Sequence, residues 1–446
     1  MDTFPFFPSR RPARAAFFGL VFAACAPYSH ADPTVIFGAD ATVQGVLSSA
    51  VDPFWSQYPQ YAAESIPFLR TRFGVYDEQK WRVEAEFDFQ QQYTGWQSTN
   101  LPVPDPESRR DFPVEFHGMR KADLTYDFDP LILSFGRDKV HWGATQDSFI
   151  VADQVPFLDR FELRLPMGQW QLQSLIATPE TRTGTETTYS ITTYQVAHRL
   201  SWKQDDVEIG FTEQAILDRN IYDANGNVVQ KGSYTFTDFF PFASVHEADV
   251  RPFNSMTILD VSWKLGSWRL AFESGLDDFD ARIFGIPDDP IPTIPANLLE
   301  AKWTQGTWVW SASVGNTHYL WGNYYPGFGR AIYRVFLDQG VQEMPLTSPY
   351  GPGATWVNTA FQYQGRRFGF DGKFEAWAVQ HGASLNSPYV GYTAGAGFDY
   401  YGRAHVYATL SDRGYRVRTG PQVLLANSSF TEQWYVEVST TVGSSG

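Results

Sequence analysis

The sequence predicts an all-β fold: a single closed antiparallel transmembrane β-barrel of ~16–18 strands, with long surface loops and short periplasmic turns. Three observations carry that expectation. Segments along the chain alternate strictly between apolar and polar residues, as in Trp81-Arg82-Val83-Glu84-Ala85-Glu86-Phe87-Asp88-Phe89. Strand side chains alternate with period two, so such a segment separates an apolar phase from a wet one. The apolar positions are heavy in Trp, Phe and Tyr, which make up 17% of the chain, as on the lipid face and interfacial girdles of a membrane barrel. Finally, mean hydropathy is −0.30, and no apolar run beyond the amino-terminal segment reaches the ~18 residues of a membrane helix. A soluble all-β protein would need a second sheet to cover these aromatic rows.

The elements follow in chain order. Arg10, Arg11 and Arg14 precede an apolar run from Ala15 to Ala26 that is too short to span a bilayer, and Ser29-His30-Ala31 puts small residues where a signal peptidase reads. Residues 1–31 are therefore expected to be a cleaved signal peptide and 32–446 the barrel, placed in the outer membrane of a diderm bacterium. A competing reading makes Phe22-Ala23-Ala24-Cys25 a lipoprotein box with Cys25 acylated. Cleavage after Ala31 removes the one cysteine, and with it disulfides, thiolate metal sites and thiol nucleophiles.

Further along, Asp127 to Pro130 reads as a short turn. Leu259, Val261, Trp263 and Leu265 share a face, and after the turn Gly266-Ser267 so do Trp268, Leu270 and Phe272, which is a hairpin of two amphipathic strands. Trp308, Trp310, Ala312 and Val314 make another apolar face after the turn Gln305-Gly306. Phe368, Phe370, Gly372 and Phe374 stand opposite Asp371, Lys373 and Glu375, beyond the turn Gly365-Arg366. The last strand places Trp434, Val436 and Val438 outward and Tyr435, Glu437 and Ser439 inward.

Long connections are expected at about 94–112, 139–157, 217–253, 277–296 and 320–352. The third holds an Asn225-Gly226 hairpin signal and then Tyr234, Phe236, Phe239, Phe240 and Phe242; the fifth holds Tyr324, Tyr325, Phe328 and Arg330. Aromatic faces bordered by Arg and carboxylates suit sugar rings, and equally suit loops packed on one another. The acidic run Asp277-Asp278-Phe279-Asp280 lacks the Gly turn and terminal Glu of a helical calcium loop and reads as a solvated loop. The histidines show no zinc-type pairing, and there is neither a Gly-x-Ser-x-Gly elbow nor a phosphate loop. No catalytic residue, metal or cofactor is expected, although a Ser, His and acid set assembled across strands stays open. The net charge is −15, and the presumed signal carries +2, so the rest is near −17 by subtraction. No basic stripe argues for nucleic acid.

Leu133-Ser134-Phe135-Gly136-Arg137-Asp138-Lys139-Val140-His141-Trp142-Gly143, followed after residue 155 by Pro156-Phe157-Leu158-Asp159-Arg160-Phe161, resembles the Wzi-like capsule-assembly family of outer-membrane β-barrel proteins. The specific likeness covers about 35 residues of this chain. Arg137 is expected to point into the lumen or to brace the loop on a carboxylate, Gly143 to permit a turn after Trp142, and residues 139–157 to fold into the barrel or across its mouth. The resemblance implies a structural or binding role in the assembly or attachment of surface polysaccharide, without turnover. Candidate ligand-binding residues are Arg137, Trp142, Phe239, Phe240, Tyr324, Tyr325 and Arg330. Expected partners are outer-membrane lipid, a surface polysaccharide and the barrel-assembly machinery. The alternative is a porin or channel for small hydrophilic solutes, with Arg137 and lumenal carboxylates setting ion preference.

Overall fold

The computed structural model describes residues 34–48, 69–77, 80–91, 114–153, 155, 157–181, 193–218, 220–222, 228–231, 253–277, 293–323, 331–337, 340–383, 395–412, 414–427 and 429–445. Alternating sequence becomes eighteen wall strands: Thr34–Ser48, Leu69–Asp77, Trp81–Gln91, Val114–Asp127, Ile132–Asp138, Leu158–Met167, Trp170–Thr178, Thr193–Gln204, Val207–Asp218, Phe253–Leu265, Trp268–Leu276, Pro295–Gln305, Trp308–Thr317, Ala354–Gln364, Phe368–Gln380, Phe398–Asp412, Tyr415–Ala426 and Ser429–Ser445. Each pairs antiparallel with the next, and the last returns to the first, with Ile36 opposite Ser445 and Ser48 opposite Gln433. Closure removes the sheet edge, the only way a sheet satisfies its backbone within lipid.

Facing follows the sequence pattern. Leu259, Trp263, Phe272, Leu299, Val314, Phe374, Leu410 and Trp434 are exposed on the outside, while Asp260, Glu273, Glu300, Glu375 and Glu437 are buried on the lumenal side. The same register puts Phe73 and Ala85 on the outward face with Phe37, and leaves Glu84 and Glu86 lumenal, where they meet Lys121 and Arg72.

Connections are asymmetric, as expected. The turns at Gly168, Gly266, Gly306, Gly365 and Gly414 all lie at the end where the first strand begins and the last one finishes. Gly266 and Gly306 have φ of +58° and +57°, which lets two-residue turns follow the twist of their strands. At the opposite end the connections are long, except the tight one between Ala426 and Ser429. Asn220–Tyr222 and Val228–Lys231 pair antiparallel on either side of the Asn225-Gly226 signal, and Ile332–Leu337 pairs with Gly340–Pro345 and, in parallel, with Glu180–Thr181. Residues 1–33, the stretch 278–280 of the acidic run, the Asn225-Gly226 turn itself and the aromatic run 234–242 lie outside the described residues.

Candidate functional site: the lumen and its infolded loop

Residues 139–157 do not leave the barrel. They turn inward and pack as a hydrophobic unit, with Phe149, Ile150, Val151, Ala152 and Val155 all buried against Leu175, Ile216, Ile258 and Trp321. A loop inside a lumen must satisfy its own backbone, and the wall supplies the acceptors. Glu273 takes four hydrogen bonds: its Oε1 accepts Thr145 N–H (2.9 Å) and Thr145 Oγ1–H (2.7 Å), and its Oε2 accepts Ser148 Oγ–H (3.0 Å) and Phe149 N–H (3.0 Å). Glu300 Oε2 accepts Gln146 N–H at 2.8 Å. From neighbouring strands, Gln195 and Gln214 donate amide hydrogens to the carbonyls of Ile150 and Phe149 (2.9 and 3.1 Å). Gly143 (φ +95°) is needed at this junction, because a Cβ there would lie 2.5 Å from both Glu273 Oε1 and Ser148 Oγ. The connection after Thr317 also turns inward: Ala152 N–H bonds the carbonyl of Leu346 (2.8 Å), and Tyr350 stacks on Trp377 with centroids 4.9 Å apart.

Among the sequence candidates, Arg137 pairs with the Asp159 carboxylate directly across the strand pair, at 2.5 and 2.7 Å, and lies over the Phe157 ring. It shares the outward face of Phe135, 53% exposed, so of the two expected placements the carboxylate brace is found and the lumenal one is not. Trp142 is buried and spends its indole N–H on Glu162 Oε1 (3.1 Å), which makes it a packing residue of the loop. Phe239, Phe240, Tyr324, Tyr325 and Arg330 lie outside the described residues. Arg137 and Trp142 are thus not brought together in one cavity.

Of the groups that line water, Asp371 and Lys373 follow from the alternation, whereas Lys302, Arg416 and Arg418 were not singled out from sequence. A cavity of about 630 Å³ runs from Gln146 at the loop tip to the short-turn end at Gln364. Its charged lining among the described residues is Lys302, Arg366, Lys373, Arg416 and Arg418 against Asp371. Two carboxylates stand behind them, Glu375 at 2.8 Å from Lys373 and Glu437 at 3.4 Å from Arg416, and Arg403 stands beside Glu375, so six cations face three carboxylates in and behind the lining. Arg418 forks onto Asp371 and covers the Tyr407 ring. Arg403 holds Glu375 at 2.5 Å, and Tyr350 donates its hydroxyl to the same carboxylate at 3.2 Å. The remaining wall is laced with similar pairs, Arg160 with Asp123 and Arg199 with Asp260, each at 2.7 Å.

Asp147 follows Gln146 at the loop tip. Burial pushes its carboxyl up to about 7; Lys373 opposes that shift, while Asp153, Glu375 and Glu300 add to it. Asp153, by contrast, is held below the usual carboxylate range, because Lys139 and the Gln146 amide outweigh its burial. His141 is lowered, mainly by burial. Among the described residues, no group of three His, Cys, Asp or Glu side chains is placed to hold a metal ion.

No protein-family model matches the chain, and no curated protein matches it. Solved structures do. OccK9 (OpdG) of Pseudomonas aeruginosa superposes with a TM-score of 0.50 at 9% identity, over 93% of this chain and 99% of that one. OccK2 (OpdF) of Pseudomonas aeruginosa gives 0.49 at 8% identity over 92% and 98%, and the outer membrane protein OprD of the same organism gives 0.46 at 11% over 92% and 94%. At such identity the likeness is one of fold, and it is carried by OccK9, an outer-membrane barrel of the Occ type. The expectation of a structural role in surface-polysaccharide assembly is corrected on this ground; it rested on a short strand-end segment whose Arg137 and Trp142 prove to be engaged in bracing and packing. The chain is an outer-membrane β-barrel of eighteen antiparallel strands with the fold of OccK9.

Proposed function

We propose that the protein is an aqueous channel for small hydrophilic solutes, narrowed by residues 139–157 and lined by a mildly cationic wall. The single observation that carries this reading is the cavity of about 630 Å³ left beside the infolded loop, whose lining is charged and amide-rich instead of apolar. Fixed charges in a narrow lumen act on passing ions with little intervening water, so an excess of Lys and Arg favours anions. The whole-chain charge of −15 argues nothing against this, because ion preference is set by the groups along the path. Solutes pass without turnover on this reading. The outer-membrane lipid and the barrel-assembly machinery are its partners, and the chain reaches the membrane after removal of residues 1–31, which amino-terminal sequencing at Asp32 would show.

Planar-bilayer recording of the purified barrel tests the reading. Stepwise conductance with anions more permeant than cations is expected. An electrically silent barrel would overturn it.

A further inference from the structure

We infer that Gln146 is the specificity-determining residue of the infolded loop, the side chain that passing solutes meet and through which the loop selects among small hydrated anions. The inference rests on the channel reading above and names the group by which the loop acts.

Burial within the loop singles this residue out. From Trp142 to Val151 every position is buried or half-buried except Gln146, which is exposed. Among the described residues it is also the loop's one contribution to the lining of the cavity of about 630 Å³, whose other lining residues come from the wall and its short turn at Gly365 and Arg366. A loop sealed against the wall acts on the water path only through what it leaves in that path, and what it leaves there is this amide.

The amide is also held in place. The backbone N–H of Gln146 bonds Glu300 Oε2 at 2.8 Å, and on either side Thr145 and Ser148 give their hydroxyls to Glu273 at 2.7 and 3.0 Å. Its side-chain Nε2 donates to Asp153 Oδ2 at 3.3 Å, and Asp153 is paired with Lys139 at 2.7 Å. The bonds that dock the loop here use the backbone of Gln146 and the side chains of its neighbours, so its own side chain can be changed without undocking the loop. Cations stand close by: Arg269 lies 3.7 Å from Glu300, and Lys302, two residues from Glu300 on the same lumenal face, lines the cavity with Gln146. An uncharged amide leaves their attraction for anions intact, while it takes up space and offers both a donor and an acceptor to a solute's polar groups. A charge at the same position would add to that attraction or oppose it.

The test uses the full-length wild type, Gln146→Ala, Gln146→Glu and Gln146→Lys. Gln146→Ala should raise the single-channel current and admit larger neutral sugars in liposome swelling. From reversal potentials, Gln146→Glu should lower the anion-to-cation permeability ratio and Gln146→Lys should raise it, each about three- to fivefold, the factor that one unit charge a few ångströms from the path imposes in water. Limited proteolysis should leave residues 139–157 as protected in the variants as in the wild type. A conducting wild type whose three variants keep its current, size limit and ratio overturns this inference and leaves the channel reading intact, and so do changes that come only with ready cleavage of the loop. A silent wild-type barrel overturns both.

Discussion

Glu273 and Thr145 lie 128 positions apart in sequence and are joined twice, the carboxylate Oε1 accepting both the backbone N–H and the side-chain hydroxyl of the threonine. Together with Ser148 and Phe149 on the other oxygen, this makes one wall carboxylate the clasp of the loop that narrows the lumen. A fully buried carboxylate is tolerated there because four donors replace its water.

Glu273→Ala should therefore free the loop while sparing the barrel. Two backbone donors and two hydroxyls lose their acceptor, at about 1–3 kcal/mol for each group left buried and unpaired, which favours an open loop that water can reach. Single-channel currents should become larger and noisier, and limited proteolysis should cut between residues 139 and 157. Gly143→Ala should act in the same direction, since its Cβ would meet Glu273 and Ser148 at 2.5 Å. Unchanged current in both variants would show that the clasp does not hold the constriction.

Stability should also record Asp147. Its unfolded-state pKa is about 3.9 and its folded-state pKa about 7. The folded form is then penalised for ionising: nothing is lost below the unfolded value, the penalty grows as pH rises between the two, and it is complete above the folded value. Asp147→Asn removes it. Denaturant midpoints of wild type and variant should diverge from pH 5 to pH 8 in favour of the variant, and parallel curves would contradict the burial of this carboxyl.

Much of the wall was legible because a closed barrel writes its two environments on alternate residues. Phe368 and Phe374 face out and Asp371, Lys373 and Glu375 face in, as the alternation requires, and the turns at Gly266, Gly306 and Gly365 fall where tight-turn residues interrupt it. That residues 139–157 are ordered was legible too, from Gly143 and the apolar Phe149 and Val151. Illegible was the pairing of loop to wall. Nothing in the segment around Phe272 or Leu298 distinguishes Glu273 and Glu300 from other lumenal carboxylates, because their partners come from a connection more than a hundred residues away. The same ignorance misplaces tolerance. Alternation alone makes a change of Glu375 to Arg look milder than one on the outer face, yet Glu375 is 3% exposed and held by Arg403, Lys373 and Tyr350, so a cation there would meet two others.

The two faces can be separated by one pair of neighbours. Phe374, half-exposed on the outside, replaced by Arg should cost ~2–4 kcal/mol near the bilayer midplane, since the charge must snorkel or draw in water. Lys373→Gln, one residue away on the lumenal side, should cost less, because Lys373 itself reaches water and Arg403 still compensates the buried Glu375 carboxylate. Urea titrations of both variants refolded into the same lipid would compare them directly. A larger loss for the lumenal change would reverse the facing assigned to this strand.

Ion preference offers the closing prediction, because the charges around the cavity can be counted. Five cations, Lys302, Arg366, Lys373, Arg416 and Arg418, stand against Asp371 in the lining and Glu375 and Glu437 behind it. Lys302 and Arg416 come from separate strands and belong to neither pair, so their replacement by Gln leaves the Lys373–Glu375 and Arg418–Asp371 pairs untouched. Each single variant should remove part of the anion preference, and the double variant, which lacks two of these cations, should remove more of it than either alone. The measurement belongs at low salt, where the Debye length exceeds about 10 Å and lumenal charges are not screened from the path. It also belongs below pH 7, where Asp147 is mostly protonated and adds no charge of its own. A double variant that keeps the full wild-type preference would place the selective charges elsewhere along the lumen.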